Sequence, residues 1–314
     1  MIPVDSMVCG VLLSLLTLFM LAVNGRVILA FILDKKLRYP SNLLVLNLSV
    51  SDFLFGLLSL PFLTVNQVTG RWVFGQTACS LWQFVTLWMR CESAFTLALV
   101  SFDRYLMVKR AAQYRRKTRR TSTFVLLASS WVLSLVLTGP AVLVWDVLLA
   151  KGVVWEERCL TDFVLEAPAY NMFLHILMLL GPSAIMTFCY VQVVRDLKKR
   201  AKRRALNKSP LPVRVGRFED KHATKRTLSM EFKVSRTVGL LIFVYIITCA
   251  PLSIVTVVMG IFKNFVTSSL YKILFVVMAT SGAANPVIYA YRSPPIREHL
   301  LSVPCRRRAY NSTK

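Results

Sequence analysis

The chain has 314 residues, 55% of them hydrophobic and 17% charged, with a mean hydropathy of +0.56. That is too apolar for an ordinary soluble domain of this length. The net charge of +24 would suit a nucleic-acid binder, but Lys and Arg gather in a few short loops between long apolar runs, which excludes that class. Seven Cys in so long a chain, several inside apolar runs, exclude a disulfide scaffold and leave room for one bridge.

Seven stretches are long enough to cross a bilayer at about 20 residues each. They run over 7–33, 41–65, 76–108, 121–149, 170–197, 234–262 and 267–291. The pattern predicts an all-α membrane protein, a seven-transmembrane helix bundle, with residues 1–300 as one domain and 301–314 as a short basic tail. The first stretch follows only Asp5 as a charge and shows no small-residue cleavage site, so it reads as a span rather than a signal peptide. Lys35, Lys36 and Arg38 follow the first span, a basic run from Lys109 to Arg120 follows the third, and another begins at Lys198 after the fifth. Arg306, Arg307 and Arg308 lie in the tail. The loop after the fourth span is acidic, with Asp146, Glu156, Glu157, Asp162 and Glu166. The positive-inside rule then sets the N-terminus outside and the C-terminus inside, in a multi-pass membrane protein. The basic loops meet anionic membrane lipids or an acidic partner.

The third span organises the rest. Stepping back from Arg104 at helical spacing gives one face: Val100, Leu97, Ser93, Arg90, Thr86. Thr86 lies roughly five turns, or about 27 Å, before Arg104. Lipid would not tolerate polar residues at three depths of one face, so that face looks into the bundle. Asp52 in the second span needs a partner or a cation. Asn24, Ser93, Ser281 and Asn285 sit at matching depth and offer oxygen and amide groups, either for a small hard cation such as sodium or for a water-bridged knot between helices. Arg90 stays protonated and must find an anion: Asp52, or a ligand carboxylate or phosphate. Glu92, two residues on, points to another side of the helix. His175 in the fifth span either faces the same cavity or is hydrogen-bonded structure.

Prolines 61, 140, 182, 251 and 286 fall within spans and are expected to kink them. Cys79 opens the third span outside and Cys159 lies in the next outer loop, so these two are the natural bridge in an oxidising exterior. Cys9, Cys91, Cys189 and Cys249 read as small packing residues. Cys305 precedes the tail arginines, a context that fits palmitoylation.

Asn24, Asp52, Trp72, the Cys79–Cys159 pair, Asp103-Arg104-Tyr105, Trp131, Pro182 with Tyr190, Pro251 and Asn285-Pro286-Val287-Ile288-Tyr289 occur here in order. In these residues and their spacing the chain resembles the rhodopsin-like (class A) G-protein-coupled receptors, over nearly its whole length. Further stretches look like the biogenic-amine branch, near histamine and muscarinic receptors. It departs from that branch where the amine-binding Asp would stand, at Thr86. It departs again at the floor of the cavity, where Cys249 replaces a tryptophan. The resemblance implies a ligand pocket at Thr86, Arg90, His175, Met178, Cys249, Phe275 and Ala279, for a small apolar or anionic molecule rather than an amine. It implies a coupling switch in which Arg104 is held by Asp103 and Glu231 until Tyr190 and Tyr289 move in, and a heterotrimeric G protein as the partner. It also implies no catalytic residues, and the few Ser/Thr of the tail imply a weak arrestin interaction. The alternative is a receptor-shaped partner that acts without a ligand.

Overall fold

The computed structural model describes residues 4–109, 120–140, 154–155, 158–159, 168–206, 216–262, 268–292 and 297–298. Helix α1 spans Val4–Leu33 and a short 3-10 turn covers Lys35–Leu37. Helices α2 (Pro40–Leu58) and α3 (Leu60–Thr69) together form the second span. The third is α4 (Gly75–Lys109) and the fourth α5 (Arg120–Gly139). Then come α6 (Pro168–Leu206), α7 (Gly216–Ile261) and α8 (Ser268–Arg292).

By length and composition, six helical stretches qualify to cross a membrane among the described residues. Helix α4 does not qualify, because polar residues dilute it. It is nevertheless the helix that packs against α2, α5, α6 and α7, so it is shielded by protein rather than by lipid. The bundle turns large apolar residues outward, as in Leu12, Leu15 and Leu18 of α1 and Val132, Leu133 and Val136 of α5. In lipid such a face costs nothing to expose, and the inward residues Met20, Leu48, Leu97, Met186 and Leu252 form the core.

Proline acts unevenly. At Ser59-Leu60-Pro61 the second span breaks: Ser59 has φ −115° and ψ −50°, ending α2 before α3 starts. The missing Pro61 N–H removes a helical bond, and Trp82 Nε1 of α4 donates to the Ser59 carbonyl at 2.9 Å, pinning the break from outside. Pro182, Pro251 and Pro286 lie inside α6, α7 and α8, which continue through them. Helix α5 covers Arg120–Gly139, up to Pro140; the rest of the expected fourth span, 141–149, lies outside the described residues.

Two other ends differ from expectation. Helix α6 runs on to Leu206, and α7 begins at Gly216. The basic run from Lys198, read as loop, is therefore helical. Ala, Leu, Lys and Arg are good helix formers, and cations suit the last turns of a helix. An antiparallel ladder of two-residue strands, Val154–Trp155 and Arg158–Cys159, sits at the Cys79 end. There the expected disulfide joins Cys79 to Cys159, with Cα atoms 5.7 Å apart. The tail, with Cys305, lies outside the described residues.

Candidate functional site

Asp52 is buried, 4% exposed, in the middle of α2. Ser93 Oγ of α4 donates to its Oδ1 at 2.9 Å, and Asn285 Nδ2 of α8 donates to its Oδ2 at 2.9 Å. Three helices thus meet on one carboxylate. Gly282 makes the approach to α8 feasible, since a Cβ there would stand 3.2 Å from Asp52 Cγ. Asn24 takes a different role from the one its depth suggests. Its Nδ2 donates to the Met20 carbonyl at 3.0 Å and the Gly282 carbonyl at 3.1 Å, tying α1 to α8. Ser281 Oγ donates to the Met278 carbonyl at 2.8 Å, on its own helix.

Asp52 borders a cavity of about 30 Å³. Arg90 and Ser93 line it from α4, Met178 from α6, Tyr245, Cys249 and Ser253 from α7, and Ser281 from α8. Residues expected in a ligand pocket (Arg90, Met178, Cys249) and residues expected in a separate polar network (Asp52, Ser93, Ser281) therefore share one space. The short Cys249 side chain at its floor leaves the two regions joined. Among the described residues Arg90 makes no ion pair and no hydrogen bond, although Asp52 lines the same cavity.

Thr86, His175, Phe275 and Ala279 do not line that space. Thr86 Oγ1 shares a hydrogen bond of 2.6 Å with Ser59 Oγ at the α2/α3 break. Phe275 stacks near Phe55 and Trp82, with centroids 6.3 Å away in each case. Ala279 is packed in the core. His175 is buried and donates from Nδ1 to the Asn171 carbonyl at 3.0 Å, which leaves Nε2 as the acceptor of the neutral ring.

At the far end of α4, Arg104 is half-buried. No hydrogen bond joins it to Tyr190 or Tyr289 among the described residues. Tyr289 is buried with its hydroxyl unpartnered among them. The Tyr190 ring lies against Gly239 of α7, where a Cβ would come within 2.8 Å of Cε2. Glu231 is on α7, but its side chain lies outside the described residues. Arg200 of α6 donates to the Val108 carbonyl and holds α6 against the end of α4.

The family model described as 7 transmembrane receptor (rhodopsin family) matches residues 23–289. The chain belongs to that family. This receptor is similar to a protein named "Rhodopsin, GQ-coupled" from Mizuhopecten yessoensis, at 28% identity over 298 residues, covering 93% of this chain and 58% of that protein. It is similar to melanopsin from Rattus norvegicus, at 28% identity over 289 residues, covering 90% of this chain and 58% of the relative. Melanopsin from Branchiostoma belcheri is 26% identical over 287 residues, covering 90% of this chain and 40% of the relative. The receptor thus spans roughly half the length of these curated relatives.

A second polar centre of this receptor escaped the sequence reading. Glu92 is fully buried, 0% exposed, on the α2/α5 side of α4. Its Oε1 accepts from Asn47 Nδ2 at 2.8 Å, Ser130 Oγ at 2.8 Å and Thr96 Oγ1 at 3.3 Å. Its Oε2 accepts from Ser134 Oγ at 3.1 Å. Two indoles orient these donors. Trp131 Nε1 donates to Asn47 Oδ1 at 2.8 Å, which turns the Asn47 amide N–H groups toward Glu92. Trp88 Nε1 donates to Ser134 Oγ at 3.1 Å, and the Ser134 proton is shared between Glu92 Oε2 and the Trp131 carbonyl at 3.0 Å. The network bonds α2, α4 and α5 into one unit. Its sequence signal is an acidic residue deep in a span, two positions from Arg90.

Proposed function

We propose that this chain is a G-protein-coupled receptor of the plasma membrane, with the Cys79 end outside and the Arg104 end facing a heterotrimeric G protein. Its input is a small apolar or anionic molecule acting at the cavity bordered by Arg90. Family membership supports the coupling role, as do the tyrosines Tyr190 and Tyr289 at the Arg104 end. The observation that carries the ligand class is Arg90 itself: a permanent cation lines the cavity, makes no ion pair among the described residues, and would repel an ammonium. The rest of the lining includes Met89, Met178 and Met278, whose flexible side chains suit an apolar body. Among the described residues no lysine lines the cavity, so they offer it no amine for a covalent imine with a carbonyl ligand. Nearness to the amine branch draws no support from the relatives above, which are opsins. Asp103, Arg104 and Glu231 form the latch, membrane lipids meet the basic helix ends, and Cys305 is a lipidation site. No enzymatic step is assigned to the receptor, and the arrestin interaction is weak.

One observation favours a second reading. A cavity of about 30 Å³ holds one or two waters, far less than the hundreds of Å³ of an ordinary ligand site. A receptor that signals without a ligand, alone or as a heteromer subunit, needs no more room. The deciding experiment is G-protein activation in cells without added ligand, comparing wild type, Arg90→Ala and Cys249→Trp. A silent but surface-expressed wild type, later activated by an acidic metabolite that Arg90→Ala no longer answers, supports the first reading. An activator that works equally on Arg90→Ala sinks it. High basal signalling that Cys249→Trp suppresses supports the second.

A further inference from the structure

Resemblance to class A receptors implies a sodium ion beside Asp52, and the residues around that carboxylate can be tested for fit. Oxygen groups are present: Asp52 keeps lone pairs beyond the two bonds it accepts from Ser93 and Asn285. Ser281, with its proton turned to the Met278 carbonyl, can offer its own oxygen. The obstacle is Arg90. It sits three residues before Ser93, one turn away on the same face of α4, where side chains are neighbours. It lines the same cavity of about 30 Å³ as Asp52. That volume takes about one or two waters, so a sodium ion at Asp52 would share a small space with a residue that carries a permanent positive charge. Arg does not lose its proton to relieve the repulsion, and between like charges in a poorly solvated space that repulsion is strong. The site does not fit sodium.

We propose that Arg90 is a tethered counter-cation for Asp52, supplied by α4 in place of a dissolved sodium ion. The other groups of the cavity agree with that role. Tyr245 spends its hydroxyl proton on the Met178 carbonyl at 2.6 Å. Glu92, two residues along the same helix, is directed away and already holds four donors. Among the described residues Asp52 is therefore the one carboxylate that lines the cavity with Arg90. Because the cation is covalently attached, the charge of the cavity does not depend on the salt outside the cell. The inference rests on this geometry and concerns the cavity without a ligand, where Asp52 rather than a ligand anion answers the charge of Arg90.

The test is thermal unfolding of the purified full chain in lipid nanodiscs, in sodium chloride and in choline chloride of equal strength. Wild type is expected to melt at the same temperature in both. Arg90→Gln is expected to gain a sodium-dependent rise, with sodium affinity increased about tenfold or more once one like charge is gone. Adding Asp52→Asn should remove that rise, and Arg90→Lys should remain indifferent to sodium. Arg90→Met is the substitute if Arg90→Gln does not fold. A wild type that sodium stabilises, and that loses the effect in Asp52→Asn, overturns the proposal. So does a sodium response that appears in neither Arg90→Gln nor Arg90→Met, since Arg90 would then not be what keeps the ion out.

Discussion

Asp52 and Glu92 are both carboxylates buried in the middle of the bundle, and they are held in opposite ways. Glu92 accepts four hydrogen bonds from three helices, including its own. Asp52 accepts one bond on each oxygen and borders open space. Burial alone does not separate a structural acid from one available to ligands. Accepting capacity left over beside a cavity does. Glu92 has its donors oriented by Trp131 and Trp88, so its oxygens are answered by hydrogen bonds from within the protein. Asp52 has capacity to spare, and the cation that can meet it is Arg90.

The sharpest way to break this contrast is to remove Glu92. Glu92→Ala leaves Asn47 Nδ2 with Thr96 Oγ1 alone to accept from it and opens a void between α2, α4 and α5. A loss of about 3 kcal/mol in unfolding free energy is expected, read as a lower melting temperature and reduced surface expression. Gly282→Ala attacks the other acid. The added methyl group would press on Asp52 Cγ, 3.2 Å away, and on Met20 Cε, at an overpacking cost of about 2 kcal/mol, measured in the same melt. Trp131→Phe keeps an aromatic body and removes the donor that orients Asn47; about 1 kcal/mol should be lost. Glu92→Gln should cost least, under about 1 kcal/mol, because its carbonyl retains the Oε1 donors and Ser134 can turn to accept from the new amide. A Glu92→Gln variant as unstable as Glu92→Ala would show that the negative charge itself holds the interface, and the contrast with Asp52 would fail.

Much of this was legible beforehand, and what was legible shares a physical cause. Apolar length located the seven spans, because a bilayer demands it. The inward face of α4 was readable from helical spacing, and Asp52 with Ser93 and Asn285 from their matching depth. Cys79 and Cys159 were readable from topology. What stayed hidden depends on contacts between helices that no local pattern encodes. Asn47, Ser130 and Ser134 are ordinary small polar residues until α2 and α5 bring them onto Glu92. Thr86 reads as a pocket residue, and the break at Ser59 adds a hydroxyl partner at 2.6 Å that no local pattern announces. His175 and Asn24 likewise spend their donors on carbonyls of the bundle. The merging of ligand pocket and polar network follows from the size of one side chain, Cys249, whose effect shows only once α4, α7 and α8 surround it.

The most direct test of this division between the two acids is a pair of double-mutant cycles on melting free energy, Arg90→Gln with Asp52→Asn and Arg90→Gln with Glu92→Gln. The account predicts a favourable coupling of about 1 kcal/mol between Arg90 and Asp52, and additivity to within about 0.5 kcal/mol between Arg90 and Glu92, although the latter pair is only two residues apart. Coupling to Glu92 that equals or exceeds the coupling to Asp52 would contradict it.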